Sequence, residues 1–396
     1  MKNKKFFGLL LVVLMTASLA LTSCAPKKPV VVEPPKDEKT IKAGFIYVGP
    51  VGDWGFSNAH DVGRKFAESK LPWLKTTIVE SVSEADCPRV IDRLVTEEKC
   101  DIVFTCSFGY MDATIEAGKK YPDKKFMHCS GFKQSENVGT YFTDLYQPYY
   151  LCGLMAGALS KTNKVGYVGA FAIPEVIRHI NAFALGIKEA NPKATLSVKW
   201  INAWYDTAKA KEAAEALITE GCDSLAFTED SPTVVEVSKA HTEKGKQIYS
   251  FSHYSPMQRF GENTVVSGQL CDWGPMYVKT LQDLYDGTWT SKDMTWFMKD
   301  KTALLGGAFD VPVNPIFVDQ LKAVMLEDKV LGKISVYDLI MKRSEQFIAD
   351  PVGFEPFTGP IKDQTGTEML KAGEPISMKA LFEINWFIEG IIGQPK

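Results

Sequence analysis

The sequence predicts an α/β fold built from two similar lobes, each with a parallel sheet flanked by helices. The main evidence is an internal repeat, in which KAGF at 42–45 recurs as KVGY at 164–167, an offset of 122 residues. The pair CD at 100–101 recurs at 222–223 with the same offset. Apolar runs of strand length also alternate with longer segments of helical periodicity. Together these patterns predict one α/β lobe that occurs twice.

The repeat defines the order of elements in each lobe. Predicted strands cover 42–48, 76–80, 101–106 and 125–129, then 164–169, 196–202, 223–228 and 247–251. Helical spacing is clearest at 86–99 and 208–220. Strands that alternate with helices form parallel sheets with right-handed crossovers. Two such lobes place the loops after their strands around one cleft, where open α/β sheets bind ligands, and imply a hinge.

Composition excludes several classes of protein. The 396 residues are 45% hydrophobic and 23% charged, which is globular, and 45 basic against 48 acidic residues give a net charge of -3. This balance lacks the basic surface that nucleic-acid binding needs. The sequence contains no P-loop, G-x-S-x-G, H-E-x-x-H or G-x-G-x-x-G motif, and its five histidines are dispersed. We therefore expect a binding protein rather than an enzyme, with no cofactor, no metal and no nucleic-acid partner.

The N-terminal residues predict export and lipid anchoring. A basic start at 2–5 precedes an apolar run at 6–21, and LTSC at 21–24 resembles the bacterial lipobox. We predict a signal peptide at 1–23, lipidation of Cys24, and an extended tether at 24–40 that contains four prolines. No later segment is long and apolar enough to span a bilayer, so only the lipid would hold the protein to the membrane. The expected location is the extracytoplasmic face of the cell membrane, either periplasmic or at the cell surface.

Aromatic and acidic side chains follow the predicted strands of both lobes. Two aromatic rings from opposite lobes can enclose a flat ring, and each stacked face contributes about 1–3 kcal/mol. Carboxylates at the ring edge would accept hydrogen bonds from N–H groups, and Arg178 is the main basic residue in these loops. This chemistry favours a neutral, planar, nitrogen-rich ligand over a phosphate or a free acid. The predicted ligand-binding residues are Asp53, Trp54, Phe56, Phe108, Gly109, Tyr110, Glu175, Trp204, Asp230, Asp272 and Trp273.

With the lipobox, the twin lobes and the DWGFSN loop at 53–58, the chain resembles the basic membrane lipoprotein (PnrA-like) family of ABC-transporter substrate-binding proteins. The resemblance extends over nearly all of 42–396. It implies the type I periplasmic-binding-protein fold, with two Rossmann-like lobes joined by a three-crossover hinge. It also implies a monomer whose partners are a small molecule and an ABC permease. We expect one lobe at 41–158 with about 272–320, and the other at 159–271 with about 321–396.

The resemblance also indicates a ligand. It implies that Asp53 contacts a purine ring and that Phe56 and Trp204 cover its two faces. Nucleoside-binding members hold the ribose with a carboxylate after the last strand of the second lobe and with a lysine further on. Here those segments read SFSH at 250–253 and CDW at 271–273. A free, adenine-like purine base is therefore favoured. A purine nucleoside, another small polar heterocycle or sugar, and an exported enzyme such as a nucleosidase remain the alternatives.

Overall fold

A computed structural model describes residues 39–396. The predicted signal peptide, Cys24 and the tether as far as residue 38 lie outside the described residues. Among the residues described, no helix is both long and apolar enough to cross a membrane.

The first lobe repeats a strand–helix unit. Its first elements in chain order are β1 (Ile41–Tyr47), α1 (Phe56–Lys70), β2 (Leu74–Val79), α2 (Cys87–Thr96), β3 (Ile102–Cys106), α3 (Met111–Lys120), β4 (Lys125–Cys129) and β5 (Val138–Thr143). The strands run parallel in the spatial order β2-β1-β3-β4-β5. The central strand β3 is buried at every residue and is largely apolar, as expected where helices cover both faces of a parallel sheet.

The second lobe repeats this arrangement. Its elements are α4 (Tyr146–Leu159), β6 (Lys164–Gly169), α5 (Pro174–Ala190), β7 (Thr195–Trp200), α6 (Thr207–Thr219), β8 (Ser224–Phe227), α7 (Thr233–Glu243), β9 (Tyr249–Tyr254) and β10 (Val265–Cys271). These strands run parallel in the order β7-β6-β8-β9-β10. The strand order of the first lobe recurs here, which confirms the two-lobed α/β fold predicted from the repeat.

The chain passes between the sheets three times. It crosses after β5, and again after β10 into α8 (Gly274–Asp286) and β11 (Asp293–Trp296), which extends the first sheet beside β5. It returns through β12 (Ala303–Leu305), which pairs antiparallel with β10. Helix α4 packs on α5, and α8 packs on α1. We therefore propose lobe ranges of 41–143 with 274–296, and 146–271 with 303–396. The ranges drawn from the sequence placed α4 and β12 in the first lobe.

The last part of the chain is built onto the second lobe. It comprises α9 (Pro315–Ala323), β13 (Met325–Asp328), β14 (Gly332–Ser335), α10 (Val336–Ile348), β15 (Ile361–Lys362), β16 (Glu368–Leu370), α11 (Met378–Phe382) and β17 (Ile391–Ile392). Strand β17 adds a parallel edge to β7. Asn181 of α5 donates to the Trp386 carbonyl and accepts from the Ile388 amide, so the C-terminal segment is tied to the helix that begins near the cleft.

Candidate functional site

A narrow cavity lies between the carboxyl ends of the two sheets, and it contains about 270 Å³ of empty space when open solvent is included. Its walls come from both lobes and consist of Val48, Phe56, Ser107, Phe108, Ser130, Glu175, Trp204, Asp230 and Tyr254. The first five belong to the first lobe and the other four to the second.

Five of the predicted site residues meet in this cavity. Phe56 is the first residue of α1, and Phe108 follows β3. Glu175 lies in the first turn of α5, Trp204 follows β7, and Asp230 follows β8. Each side chain is placed there by a strand that ends at the cleft or by the helix that begins beyond it. The site therefore combines aromatic side chains from both lobes with carboxylates from the second.

The carboxylates are buried and face no basic residue among the cavity walls. Glu175 accepts a hydrogen bond from the Tyr254 hydroxyl at 3.1 Å, whereas Oδ1 of Asp230 has no hydrogen-bond partner. Burial and then the charges of Asp53, Glu229 and Glu175 raise the pKa of Asp230 well above its usual value. Burial likewise raises the pKa of Glu229 behind it. A ligand that donates an N–H group to Oδ1 of Asp230 would supply the missing hydrogen bond, whereas an anion would find no basic side chain in the cavity walls.

Asp53 does not line this cavity. Its carboxylate accepts hydrogen bonds from the backbone N–H groups of Gly55, Ser57 and Asn58 at 2.8–3.0 Å. It thus caps the start of α1, whose first amides have no acceptor within the helix. Burial raises its pKa to about 6, although the three amides act in the opposite direction. Asp53 therefore has a structural role at the start of α1, and its contact with a purine ring stays a prediction.

Three other predicted residues of the first lobe do not line the cavity. The Arg259 guanidinium lies 3.3 Å from the centre of the Trp54 ring, so Trp54 contacts the second lobe rather than the cavity. Gly109 packs so closely on Glu84 that a Cβ added to Gly109 would lie 1.7 Å from Oε1 of Glu84. Tyr110 is fully buried and donates to the Val82 carbonyl. Gly109 and Tyr110 fall in the short 3₁₀ turn at Phe108–Tyr110, which leaves only Phe108 at the cavity.

Asp272 and Trp273 occupy the second crossover and also lie outside the cavity walls. Asp272 accepts a hydrogen bond from the Gly274 amide at 3.0 Å at the start of α8. Trp273 is fully buried, and its ring stacks on His60 with centroids 4.3 Å apart. Helix α8 packs on α1, and the Trp273 ring is enclosed there by Phe56, His60 and Tyr141.

Sequence reasoning missed four residues of the cavity wall. Val48, Ser107 and Ser130 each directly follow a strand, and Tyr254 is the last residue of β9. All four lie at strand ends, and this position could have identified them. The two serines were missed because their side chains are neither charged nor aromatic. Ser252 lies in the segment where nucleoside-binding members have a carboxylate, and it does not line the cavity: its Oγ donates to the Gly307 carbonyl at 3.2 Å.

A larger space, about 930 Å³ with open solvent included, adjoins the cavity and shares Phe108, Ser130 and Glu175 with it. Arg178 lines this space, and its Nε donates to Asp144 at 2.6 Å. Burial alone would raise the pKa of Asp144, but the charge of Arg178 together with the hydrogen bonds from His179 and the Tyr146 amide outweighs burial and lowers the pKa to about 2. The pair is therefore ionised and fixes the start of α5, which carries Glu175. Within residues 39–396 no cluster of three or more His, Cys, Asp or Glu side chains has the geometry to hold a metal ion.

Comparison with known proteins agrees with this architecture. Residues 40–339 match the family model described as ABC transporter substrate-binding protein PnrA-like. A purine-binding protein of Brucella abortus is 35% identical over 356 residues, which cover 89% of this chain and 93% of that protein. A putative ABC transporter glucose-binding protein of Haloferax volcanii is 38% identical over 262 residues, covering 66% of this chain and 65% of that protein.

The fold is also found among solved structures. An ABC transporter solute-binding protein of Conexibacter woesei superposes with a TM-score of 0.59 at 19% identity, covering 80% of this chain and 99% of that one. The architecture of two parallel sheets joined by three crossovers is thus that of the type I periplasmic-binding proteins, as the sequence predicted. The family match covers most of the chain, and the chain belongs to the PnrA-like family of ABC transporter substrate-binding proteins.

Proposed function

We propose that this protein is an extracytoplasmic receptor that binds an adenine-like purine base between its lobes and delivers it to an ABC permease. One observation carries the ligand assignment: Phe56 and Trp204, from opposite lobes, share a small cavity with the carboxylates of Glu175 and Asp230. The Brucella abortus relative named as a purine-binding protein supports the same ligand class. A permease partner follows from the family, whose members serve ABC transporters.

The cavity suits a purine for two physical reasons. The aromatic side chains offer faces to a flat ring, and each stacked face contributes about 1–3 kcal/mol. Carboxylates accept hydrogen bonds from ring N–H and exocyclic amino groups, and such charge-assisted bonds contribute about 1.5–3 kcal/mol each. Because the cavity walls contain no lysine or arginine, a negatively charged ligand would be opposed. A neutral base with several N–H donors fits these conditions.

The first test is calorimetric titration of the purified protein, unfolded and refolded to remove carried-over ligand. We expect adenine to bind at least about tenfold more tightly than adenosine, a difference of about 1.4 kcal/mol. Tighter adenosine binding would replace the base by the nucleoside. No binding of either would refute the purine assignment. Adenosine that remains intact after prolonged incubation with the protein would exclude a nucleosidase.

A purine nucleoside is the second candidate, and the adjoining space favours it. That space shares three residues with the cavity and carries polar groups of Gln134, Arg178 and Asp293. A ribose attached to a ring in the cavity could extend into it and find partners for its hydroxyls. The same titration decides, because a bound ribose would reverse the order of the two affinities.

Membrane attachment through Cys24 is part of the proposal. Lipid chains would hold the receptor beside its permease, and two chains suffice for stable anchoring. In a bacterial host that lipidates exported proteins and is fed labelled palmitate, the wild-type protein should take up the label and Cys24→Ser should not. Labelling of the variant would contradict lipidation at Cys24.

A further inference from the structure

The loop between β1 and α1 touches the second lobe at Gly55. A Cβ added to Gly55 would lie 2.6 Å from Cα, 2.7 Å from C and 2.8 Å from O of Asp230. All three are backbone atoms, which cannot move aside as the end of a flexible side chain can. The two lobes therefore approach as closely as they do because residue 55 has no side chain.

Two further interactions surround this point. The Ser255 hydroxyl, just after β9, lies 2.9 Å from the Gly55 carbonyl and 3.1 Å from Oδ1 of Asn58. The Arg259 guanidinium covers the Trp54 ring. Each pair joins the first lobe to the second. We call this set the closure contact; it comprises Trp54, Gly55 and Asn58 of the first lobe with Asp230, Ser255 and Arg259 of the second.

The closure contact is connected directly to the cavity. The Asp230 backbone that meets Gly55 also donates its N–H to the Trp204 carbonyl at 2.7 Å. The Asp230 carboxylate and the Trp204 ring both line the cavity. The contact outside the cavity thus holds two of the side chains inside it, and these side chains lie opposite Phe56 only when the lobes are together.

We propose that the closure contact sets the equilibrium between open and closed lobes and thereby the affinity for ligand. In this proposal, which rests on the proposed function, Gly55, Ser255 and Arg259 are positioning residues that do not touch the ligand. When a ligand binds only the closed form, the apparent dissociation constant equals the intrinsic one divided by the fraction of protein that is closed. Changes at the closure contact alter that fraction and leave the cavity walls intact.

The test compares two glycines of the same loop. Gly55→Ala places a methyl group against the Asp230 backbone, and we expect adenine to bind at least about tenfold more weakly as the closed fraction falls. Gly52→Ala is the matched control, because a Cβ there would meet nothing within 4 Å, and its affinity should stay within about twofold of wild type. In X-ray scattering, the Gly55→Ala protein should be more expanded than wild type, both without ligand and with adenine.

A second variant separates closure from a local folding defect. Ser255→Ala removes the hydroxyl between the lobes, and adenine should bind about three- to tenfold more weakly while the ligand-free unfolding temperature is unchanged. Wild-type affinity in both Gly55→Ala and Ser255→Ala would overturn the inference. If wild-type protein bound no purine, the proposed function would fail instead. The inference would then depend on scattering, and identical ligand-free profiles for wild type and Gly55→Ala would overturn it.

Discussion

At the scale of single residues, Asp53 shows how one carboxylate can be interpreted in two ways. If it caps α1, as its three amide partners indicate, Asp53→Ala leaves those amides unsatisfied. We expect the variant to lose about 1–3 kcal/mol of unfolding free energy, measured by urea denaturation of the ligand-free protein. If Asp53 instead served only the ligand, the variant would keep its stability and lose adenine affinity. That result would contradict the capping role.

Asp230 leads to a prediction about pH. Its pKa in the folded protein lies above that in the unfolded chain, so the folded state binds the proton more tightly. Stability contributed by this group is therefore lost as pH rises from about 4 through the raised pKa. Asp230→Asn has no such loss, so the unfolding free energy of the variant relative to wild type should increase from pH 5 to pH 8. The buried histidines are present in both proteins, so their effect on the unfolding free energy cancels in the difference between variant and wild type. A difference that does not change with pH would contradict the raised pKa.

The cavity walls were predictable from sequence only in part, for reasons that differ from residue to residue. Phe56, Glu175 and Trp204 were found because a charged or aromatic side chain after a strand stands out. Trp273 has the same signature, yet it packs on His60 in the core, because nothing local indicates which way a crossover turns. Ser130 lines the cavity but has an inconspicuous side chain. Residue type thus indicates which interactions a side chain can make, while the direction in which the side chain points depends on tertiary packing.

At the scale of elements, the pair of helices α4 and α5 packs with almost no space between the backbones. A Cβ at Gly153 would lie 2.1 Å from the Phe183 carbonyl oxygen, and one at Gly186 would lie 2.1 Å from that of Tyr150. Gly153→Ala must separate the helices, and we expect a loss of about 1–3 kcal/mol in spite of the higher helix propensity of alanine. Thermal unfolding measures this loss. A higher unfolding temperature would show that the helices have room for the methyl group.

The elements themselves followed from the repeat wherever the repeat extends. Predicted strands at 125–129 and 164–169 coincide with β4 and β6, because alternating strands and helices leave a strong periodic signal. The strands β5, β10, β11 and β12 were not predicted. β5 and β10 hold equivalent places in the two sheets but lie beyond the strands predicted from the repeat, and β11 and β12 belong to the crossovers. The segment after 349 contains three short strands. β15 pairs with β16 and β17 pairs with the edge of β7, and no local sequence pattern indicates these pairings.

At the scale of the whole molecule, three crossovers join the lobes, and we expect the lobes to move relative to each other while their sheets stay intact. The cavity lies between the lobes and its walls come from both, so separation of the lobes would open it to a ligand. A ligand that binds the closed form better shifts the population toward it. We therefore expect adenine to reduce the radius of gyration of the wild-type protein in X-ray scattering.

The control variant for this experiment keeps the three crossovers and lacks one aromatic wall of the cavity. Trp204→Ala leaves the crossovers and the Gly55 contact unchanged but lacks one aromatic wall of the cavity, so adenine at the same concentration should produce a smaller fall in the radius of gyration. At saturating adenine the variant should reach the wild-type value, because the closed form is still available. If scattering from wild-type protein is identical with and without adenine while calorimetry shows binding, then the base binds to lobes that are already closed, and entry must depend on brief opening that scattering does not detect.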